Sequence, residues 1–215
     1  GTLPTQTHTH TRARARTRRR TRTPAARKHS DCQEMGVACT QMTVCSHQRM
    51  KLNYRRAEEK DFERLYHMET RSYPPDEAAS AKSLMMRIRN ASDFFLVAMI
   101  GENVIGFING TLTSDQKNLT HDSMSKHEPQ GATLCIHSVV ISDSLRRNGH
   151  GSSMLREYVR RITARKPQVK RILLLAKQHL LGFYGAGGFV IDGESEVVHG
   201  KDPWFQCSMA IQRKQ

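Results

Sequence analysis

The chain has 215 residues, 37% of them apolar, with 34 Lys+Arg against 20 Asp+Glu and a formal net charge of +14. That length suits one compact domain plus a tail and leaves little room for two full domains. The longest apolar run, Phe94 to Ile100, is too short to cross a bilayer, and no charged-then-apolar signal segment opens the sequence. These features argue against a membrane protein, a secreted disulfide scaffold and a fibrous repeat.

The charge is unevenly spread: residues 1–49 hold ten Lys/Arg and only two acids, Asp31 and Glu34, against 24 and 18 in residues 50–215. From Thr5 to Thr23 the chain is built of threonine, histidine and arginine with two alanines and one glutamine, with almost no apolar content and no acid. Such a stretch cannot bury enough surface to offset its ordering entropy, so residues 1–49 are expected to be a disordered basic tail. It reads as a solvated extension, as a mitochondrial presequence lacking the amphipathic apolar face, or as an electrostatic arm for nucleic acid without aromatics for base stacking. Nucleic acid is thus a partner only through this tail, and the cytoplasm is the expected compartment. A first residue of Gly rather than Met suggests an upstream extension. Cys32, Cys39 and Cys45 lack the paired spacing of a zinc knuckle, so no metal is expected.

From Lys51 the pattern turns regular. Leu52–Ala57 alternates as a short strand does. Glu58-Glu59-Lys60-Asp61 opens a helix with acids in its first turn, and Phe62, Leu65, Met68 and Glu69 follow at helical spacing. Tyr73-Pro74-Pro75 ends it, because the residue before proline is pushed out of the helical region. Asp76–Asn90 predicts a second helix. Phe94–Ile100, the turn Gly101-Glu102-Asn103 and Val104–Leu112 predict a hairpin. A polar stretch from Thr113 to Gly131 carries a short helical piece. A strand (Ala132–Ser142), a glycine loop (Arg146–Gly151) and a helix (Gly149–Arg165) follow. The last elements are a strand (Arg171–Lys177), a short helix (Leu180–Ala186) and two strands (Phe189–Ile191, Trp204–Ile211). This order predicts one α/β domain over residues 50–215, a mixed sheet with helices on both faces.

The glycine loop carries the clearest chemistry. An apolar strand runs into Arg146-Arg147-Asn148-Gly149-His150-Gly151, and a helix with the stripe Met154, Leu155, Tyr158, Val159 and Ile162 starts at once. Glycines let backbone N–H groups approach an anion, and the helix N-terminus adds partial positive charge. The pattern suits a pyrophosphate, although a tight strand–helix turn would use the same residues. It lacks the third glycine of a dinucleotide fingerprint and the Gly-Lys-Ser/Thr of a P-loop.

Arg146-x-x-Gly149-x-Gly151 after Val139-Val140-Ile141 resembles the acetyl-CoA motif of the Gcn5-related N-acetyltransferase (GNAT) superfamily. Phe183-Tyr184-Gly185-Ala186-Gly187-Gly188-Phe189 resembles that family's F-Y-x-x-x-G-F signature. Ile136-His137-Ser138-Val139-Val140, Leu119 to Met124 and His127-x-Pro129-x-Gly131 resemble arylalkylamine (serotonin-type) N-acetyltransferases. Ser72 to Ser80 and Val198 to Phe205 look like their fungal and bacterial branch. The resemblance spans roughly residues 52–211. It implies a mostly antiparallel GNAT sheet with splayed central strands, and acetyl-CoA as cosubstrate. It also implies a small arylalkylamine or polyamine as acceptor and a monomer or weak dimer. A protein or peptide acetyltransferase and a non-catalytic CoA-binding module associated with nucleic acid are the alternatives.

By the same resemblance Val139, Val140 and Ile141 pair with pantetheine. Arg147, Asn148, Gly149, His150, Gly151 and Ser152 bind the pyrophosphate, and Tyr184, Gly185 and Ala186 sit beside the thiol. Tyr73, Leu175 and Trp204 line the amine pocket, Trp204 being suited to stacking or cation–π contact. Alternation along the strand puts Cys135, His137, Val139 and Ile141 on one face. Vertebrate relatives place two histidines there; here the first position is Cys135, so His137 is the expected proton acceptor, with His121 a further histidine in reach. Tyr184, protonated at pH 7, is the expected general acid. A structural histidine and a packing tyrosine are the bland readings of the same two residues. Asp76 and Glu77 suit an ammonium group, or simply complement a helix start.

Overall fold

A computed structural model describes residues 51–114, 119, 125–197 and 200–213. The basic tail, His121 and the Val198-His199 part of the branch likeness lie outside the described residues. Seven strands form one sheet: β1 (Leu52–Arg56), β2 (Phe95–Ile100), β3 (Asn103–Thr113), β4 (Thr133–Ile141), β5 (Arg171–Lys177), β6 (Val190–Glu194) and β7 (Trp204–Ala210). Their order is β1-β2-β3-β4-β5-β7-β6, and every pair is antiparallel except β4 with β5.

Strand alternation sorts side chains onto two helical layers. On one face, Leu96, Ala98, Ile108, Leu134, Ile172 and Leu174 pack against Met154, Leu155, Tyr158 and Ile162 of α3 (His150–Arg165). On the other, Phe95, Val97, Phe107 and Val140 meet Leu65 and Met68 of α1 (Phe62–Ser72) and Leu84 and Ile88 of α2 (Ala81–Asn90). A short helix, α4 (Leu181–Ala186), follows β5. Among the described residues no helix is long and apolar enough to cross a membrane.

Tyr73 ends α1 in an extended conformation (φ −124°, ψ 149°), as Pro74 requires. The second helix starts at Ala81, five residues later than the expected Asp76. Pro74 to Ala78 instead forms a turn, with the N–H groups of Glu77 and Ala78 both donating to the Pro74 carbonyl at 2.9 Å. Ser80 then caps α2 by accepting from Ser83 N–H at 3.1 Å. Asp76 and Glu77 therefore precede the helix and do not complement its dipole. The strand expected at Phe189–Ile191 runs over Val190–Glu194.

His127 and Gly131 are structural. His127 Nδ1 accepts the Leu112 N–H at 3.1 Å, and a Cβ on Gly131 would lie 2.6 Å from the Thr113 backbone. The H-x-P-x-G pattern thus seals a loop onto the end of β3.

Candidate active site

The register of β4 against β3 pairs Asn109 with Ser138 and Gly110 with Ile136, which leaves His137 as the extra residue of a β-bulge. Gly110 permits the close approach: a Cβ there would lie 2.6 Å from the Cys135 carbonyl oxygen. A bulge resets side-chain alternation and re-aims the residue it carries. Before it, Leu134 and Ile136 join the core under α3, while Cys135 packs with Leu119 and Leu173. After it, Val139 and Ile141 take the α3 side and Val140 joins the core under α1 and α2. The expected common face of Cys135, His137, Val139 and Ile141 is therefore corrected: the bulge separates the first of these from the last two. The buried Cys135 lines neither of the cavities described next.

Beyond the bulge the sheet opens. β4 pairs with β5 only from Thr133–Arg171 to Ile136–Leu174, after which β4 stays with β3 and β5 with β7. Between the parted strands lies a cavity of about 210 Å³, whose lining includes Tyr73, His137, Val139, Leu175, Tyr184 and Trp204. An adjoining space of about 320 Å³ shares Tyr73, His137, Leu175 and Trp204 and continues under Ala78–Ser80 to Glu69 and Arg87. The two candidate catalytic residues and the three candidate pocket residues thus surround one opening.

His137 shares a 2.7 Å hydrogen bond through Nε2 with Thr111 Oγ1. Burial, then the Arg87 guanidinium, hold its imidazole well below the usual range, so the ring is neutral at pH 7. Tyr184 packs edge-on against Phe183 and Phe189, with ring centroids 4.9 and 5.9 Å away. Burial raises its phenol well above the ordinary value, with Tyr73 and Cys207 adding to the effect, and it stays protonated. The Tyr73 hydroxyl accepts the Val139 N–H at 3.3 Å, an amide on the strand edge that β5 no longer covers.

The amine pocket departs from expectation in one respect. Lys177 Nζ stands 4.3 Å from the centroid of the Trp204 ring and 2.6 Å from Glu77 Oε1. The chain's own lysine supplies the cation for that ring face and for the carboxylate. Trp204 as a cation–π holder for substrate, and Glu77 as a free attractor of ammonium, are corrected accordingly.

Sequence reasoning passed over a buried polar group beneath the inner space. Glu69, 2% exposed, accepts through Oε1 from Ala79 N–H at 2.9 Å and Ser138 Oγ at 3.0 Å. Arg87, 7% exposed, donates to Asn109 Oδ1 at 3.2 Å. Among the described residues Glu69 Oε2, Arg87 Nε and Asn109 Nδ2 have no hydrogen-bond partner. Burial raises the Glu69 carboxyl and pushes Arg87 down to about 10. A signal existed: Glu69 falls on the apolar stripe of α1, where an acid needs a reason.

The glycine loop leads into α3. Arg146 braces it from behind, donating to Ile141 O and Ser72 Oγ at 3.0 Å and pairing with Asp143. Arg147 (φ 63°) and Gly149 (φ 79°) adopt left-handed conformations, and a Cβ on Gly149 would meet no atom within 4 Å. None of the described backbone hydrogen bonds is donated by residues 147–152, and the first to reach back is Ser153 N–H to Gly149 O at 3.0 Å. A row of amides that donate none of the described backbone bonds, at a helix N-terminus, is the donor set a diphosphate requires, so these residues fit the phosphate end of CoA. Gly185 and Ala186 lie on the exposed side of α4 and line neither cavity.

Comparison with known proteins agrees with this geometry. Residues 62–189 match the family described as acetyltransferase (GNAT) family. A curated relative, serotonin N-acetyltransferase of Mesocricetus auratus, is 32% identical over 108 residues, 49% of this chain and 51% of that protein. The chain thus matches about half the length of that relative. Among solved structures, the loading GNATL domain of CurA from Lyngbya majuscula superposes with a TM-score of 0.66 at 15% identity, over 75% of this chain and 98% of that one. Arabidopsis thaliana Naa50, in complex with a bisubstrate analogue, gives 0.58 at 17% identity over 74% of this chain and 98% of that one. At these identities the structures share the fold. With the family model covering more than half of its length, the chain belongs to the GNAT acetyltransferase family.

Proposed function

We propose that this chain transfers acetyl from acetyl-CoA to the primary amine of a small molecule, an arylalkylamine or a polyamine. The observation that carries this reading is the parting of β4 from β5 at Ile136, which opens a cavity flanked by His137 and Tyr184. Acetyl-CoA, the acyl donor of the family, supplies the activated thioester. Residues 147–152 hold its diphosphate through backbone N–H groups, and the Val139–Ile141 edge pairs with its pantetheine arm.

Thr111 fixes the His137 ring through Nε2, leaving Nδ1 to take a proton from the acceptor ammonium, directly or through water. A neutral imidazole is already competent for this at pH 7. The freed amine attacks the thioester carbonyl, the carbon–sulfur bond breaks, the Tyr184 hydroxyl protonates the departing thiolate, and the second proton shed by the nitrogen as the amide forms restores Tyr184, directly or through water. Cys135 lines neither cavity, which supports a single-histidine mechanism.

A small acceptor is favoured over a peptide because side-chain bridges narrow the cavity. Glu77 on the 74–80 turn reaches Lys177 on β5, and Lys177 also pairs with Asp202 ahead of β7 at 3.4 Å. The likeness to serotonin N-acetyltransferase points the same way. The test is release of the CoA thiol from acetyl-CoA with tryptamine, phenylethylamine, spermidine, lysine and a lysine peptide. Turnover with the small amines is expected. Activity confined to the peptide would reverse the reading of the acceptor.

A further inference from the structure

The half of β4 that follows His137 is held along one edge. Up to Ile136 the strand lies between β3 and β5, with Ile136 opposite Leu174 as the last β5 pair. From Ser138 to Ile141 it pairs with β3 alone among the described strands. The bulge at His137 sits at this change. A one-residue slip of residues 138–141 along β3 would absorb the extra residue and turn every later side chain to the opposite face. That half therefore needs a further pin, which β5 does not supply.

Two buried charged side chains reach the strands beside the bulge. Glu69 of α1 accepts from Ser138 Oγ at 3.0 Å, and Ser138 directly follows His137. Arg87 of α2 donates to Asn109 Oδ1 at 3.2 Å. Asn109 and Ser138 lie opposite each other in the β3–β4 register. The first pair past the bulge is thus gripped on both strands, each by a different helix. Glu69 Oε1 also accepts the Ala79 N–H at 2.9 Å, which ties the 74–80 segment to the same point. Apolar side chains of similar size would fill this layer at less cost than a buried carboxylate and guanidinium. Hydrogen bonds are directional, so they fix a register that apolar packing lets slide.

Resting on the reading of His137 as the proton acceptor, we propose that Glu69 and Arg87 are positioning residues. By holding Ser138 and Asn109 they lock the bulge and keep the imidazole aimed into the opening. They act through the two strands and not on the reacting atoms. What they control is where His137 Nδ1 stands relative to the acceptor nitrogen, and a misplacement of about 1 Å is enough to slow a reaction on the order of 100-fold.

The test uses the whole chain with Glu69→Met, which removes the acceptor, and Glu69→Gln, which keeps a carboxamide oxygen for both donors. With Glu69→Met, kcat should fall about 100-fold while KM for acetyl-CoA stays within about twofold of wild type. Glu69→Gln should restore most of the rate, and Arg87→Met, which releases Asn109, should lower kcat in the same sense. The imidazole nitrogen resonances of His137, assigned by their loss in His137→Gln, should lose the mark of the Thr111 hydrogen bond in Glu69→Met and keep it in Glu69→Gln. Should Glu69→Met fail to fold, Ser138→Ala removes only the hydroxyl and should lower kcat about tenfold while disturbing the same resonances. A folded but less stable Glu69→Met with wild-type kcat and unchanged imidazole resonances would overturn the proposal. So would a raised KM for the amine at unchanged kcat, which would make Glu69 part of the pocket wall. If His137→Gln leaves kcat unaltered, the base reading falls and this inference with it. That outcome differs from a working His137 whose kcat ignores Glu69, which removes this inference alone.

Discussion

Residues 146–152 and residues 73–80 are built in opposite ways. The glycine loop offers backbone: amides that donate none of the described backbone bonds, two left-handed residues and an exposed arginine that braces the turn. The acceptor-side turn offers side chains: the Tyr73 hydroxyl on Val139 N–H, Glu77 on Lys177, and Ala79 N–H anchored to the buried Glu69. A diphosphate is recognised by its charge and shape, so backbone donors suffice for it. A small amine must be told from other amines, and that takes side chains brought together from separate elements.

The contrast can be broken most severely where both regions meet the chemistry. Tyr184→Phe keeps the ring and its packing but removes the proton donor. We expect kcat to fall by about 100-fold or more, as losing a general acid typically costs, with acetyl-CoA affinity unchanged by calorimetry. An unaltered kcat would reduce Tyr184 to packing.

Next comes the strap on the acceptor side. Lys177 and Glu77 are 12% and 5% exposed, so Lys177→Met removes the cation facing a buried carboxylate. Urea unfolding should register a loss of about 3 kcal/mol. Pairing it with Glu77→Gln should recover much of that loss, and a single variant as stable as wild type would show that the strap holds nothing.

The smallest expected effect is on the cofactor side. Gly149→Val forces a β-branched residue to φ 79° in the space before α3. A left-handed conformation costs an L-residue about 1–2 kcal/mol, so acetyl-CoA affinity should drop roughly tenfold while the KM for amine stays put. A shift in the amine KM instead would mean that the two regions are not separable.

This division also explains what could be read from the chain. β5 spans Arg171–Lys177 at both expected ends, and Tyr73 before Pro74 closes α1, because local pattern and steric rules decide such boundaries. The glycine loop was legible for the same reason, its chemistry being contiguous in sequence. The His137 bulge was not, since it depends on how β4 registers against Gly110 on β3. Strict alternation therefore misplaced Cys135 relative to Val139 and Ile141. Lys177 over Trp204 joins residues on different strands, and Arg87 on Asn109 joins α2 to β3. No window of sequence contains either pair. The late start of α2 turned on the Ser80 cap, a signal present in the sequence but masked by the acids before it.

The central claim is that a neutral, buried His137 takes the proton from the acceptor amine. Its most direct test is kcat against pH for wild type and His137→Gln. Burial depresses the imidazole, so the wild-type acid limb should fall below pH 6.5, where the ring gains a proton and stops accepting. The variant must rely on amine already deprotonated in solution, so its deficit should be largest at low pH and shrink as pH rises toward the amine's own pKa. Parallel profiles for the two proteins would contradict the account.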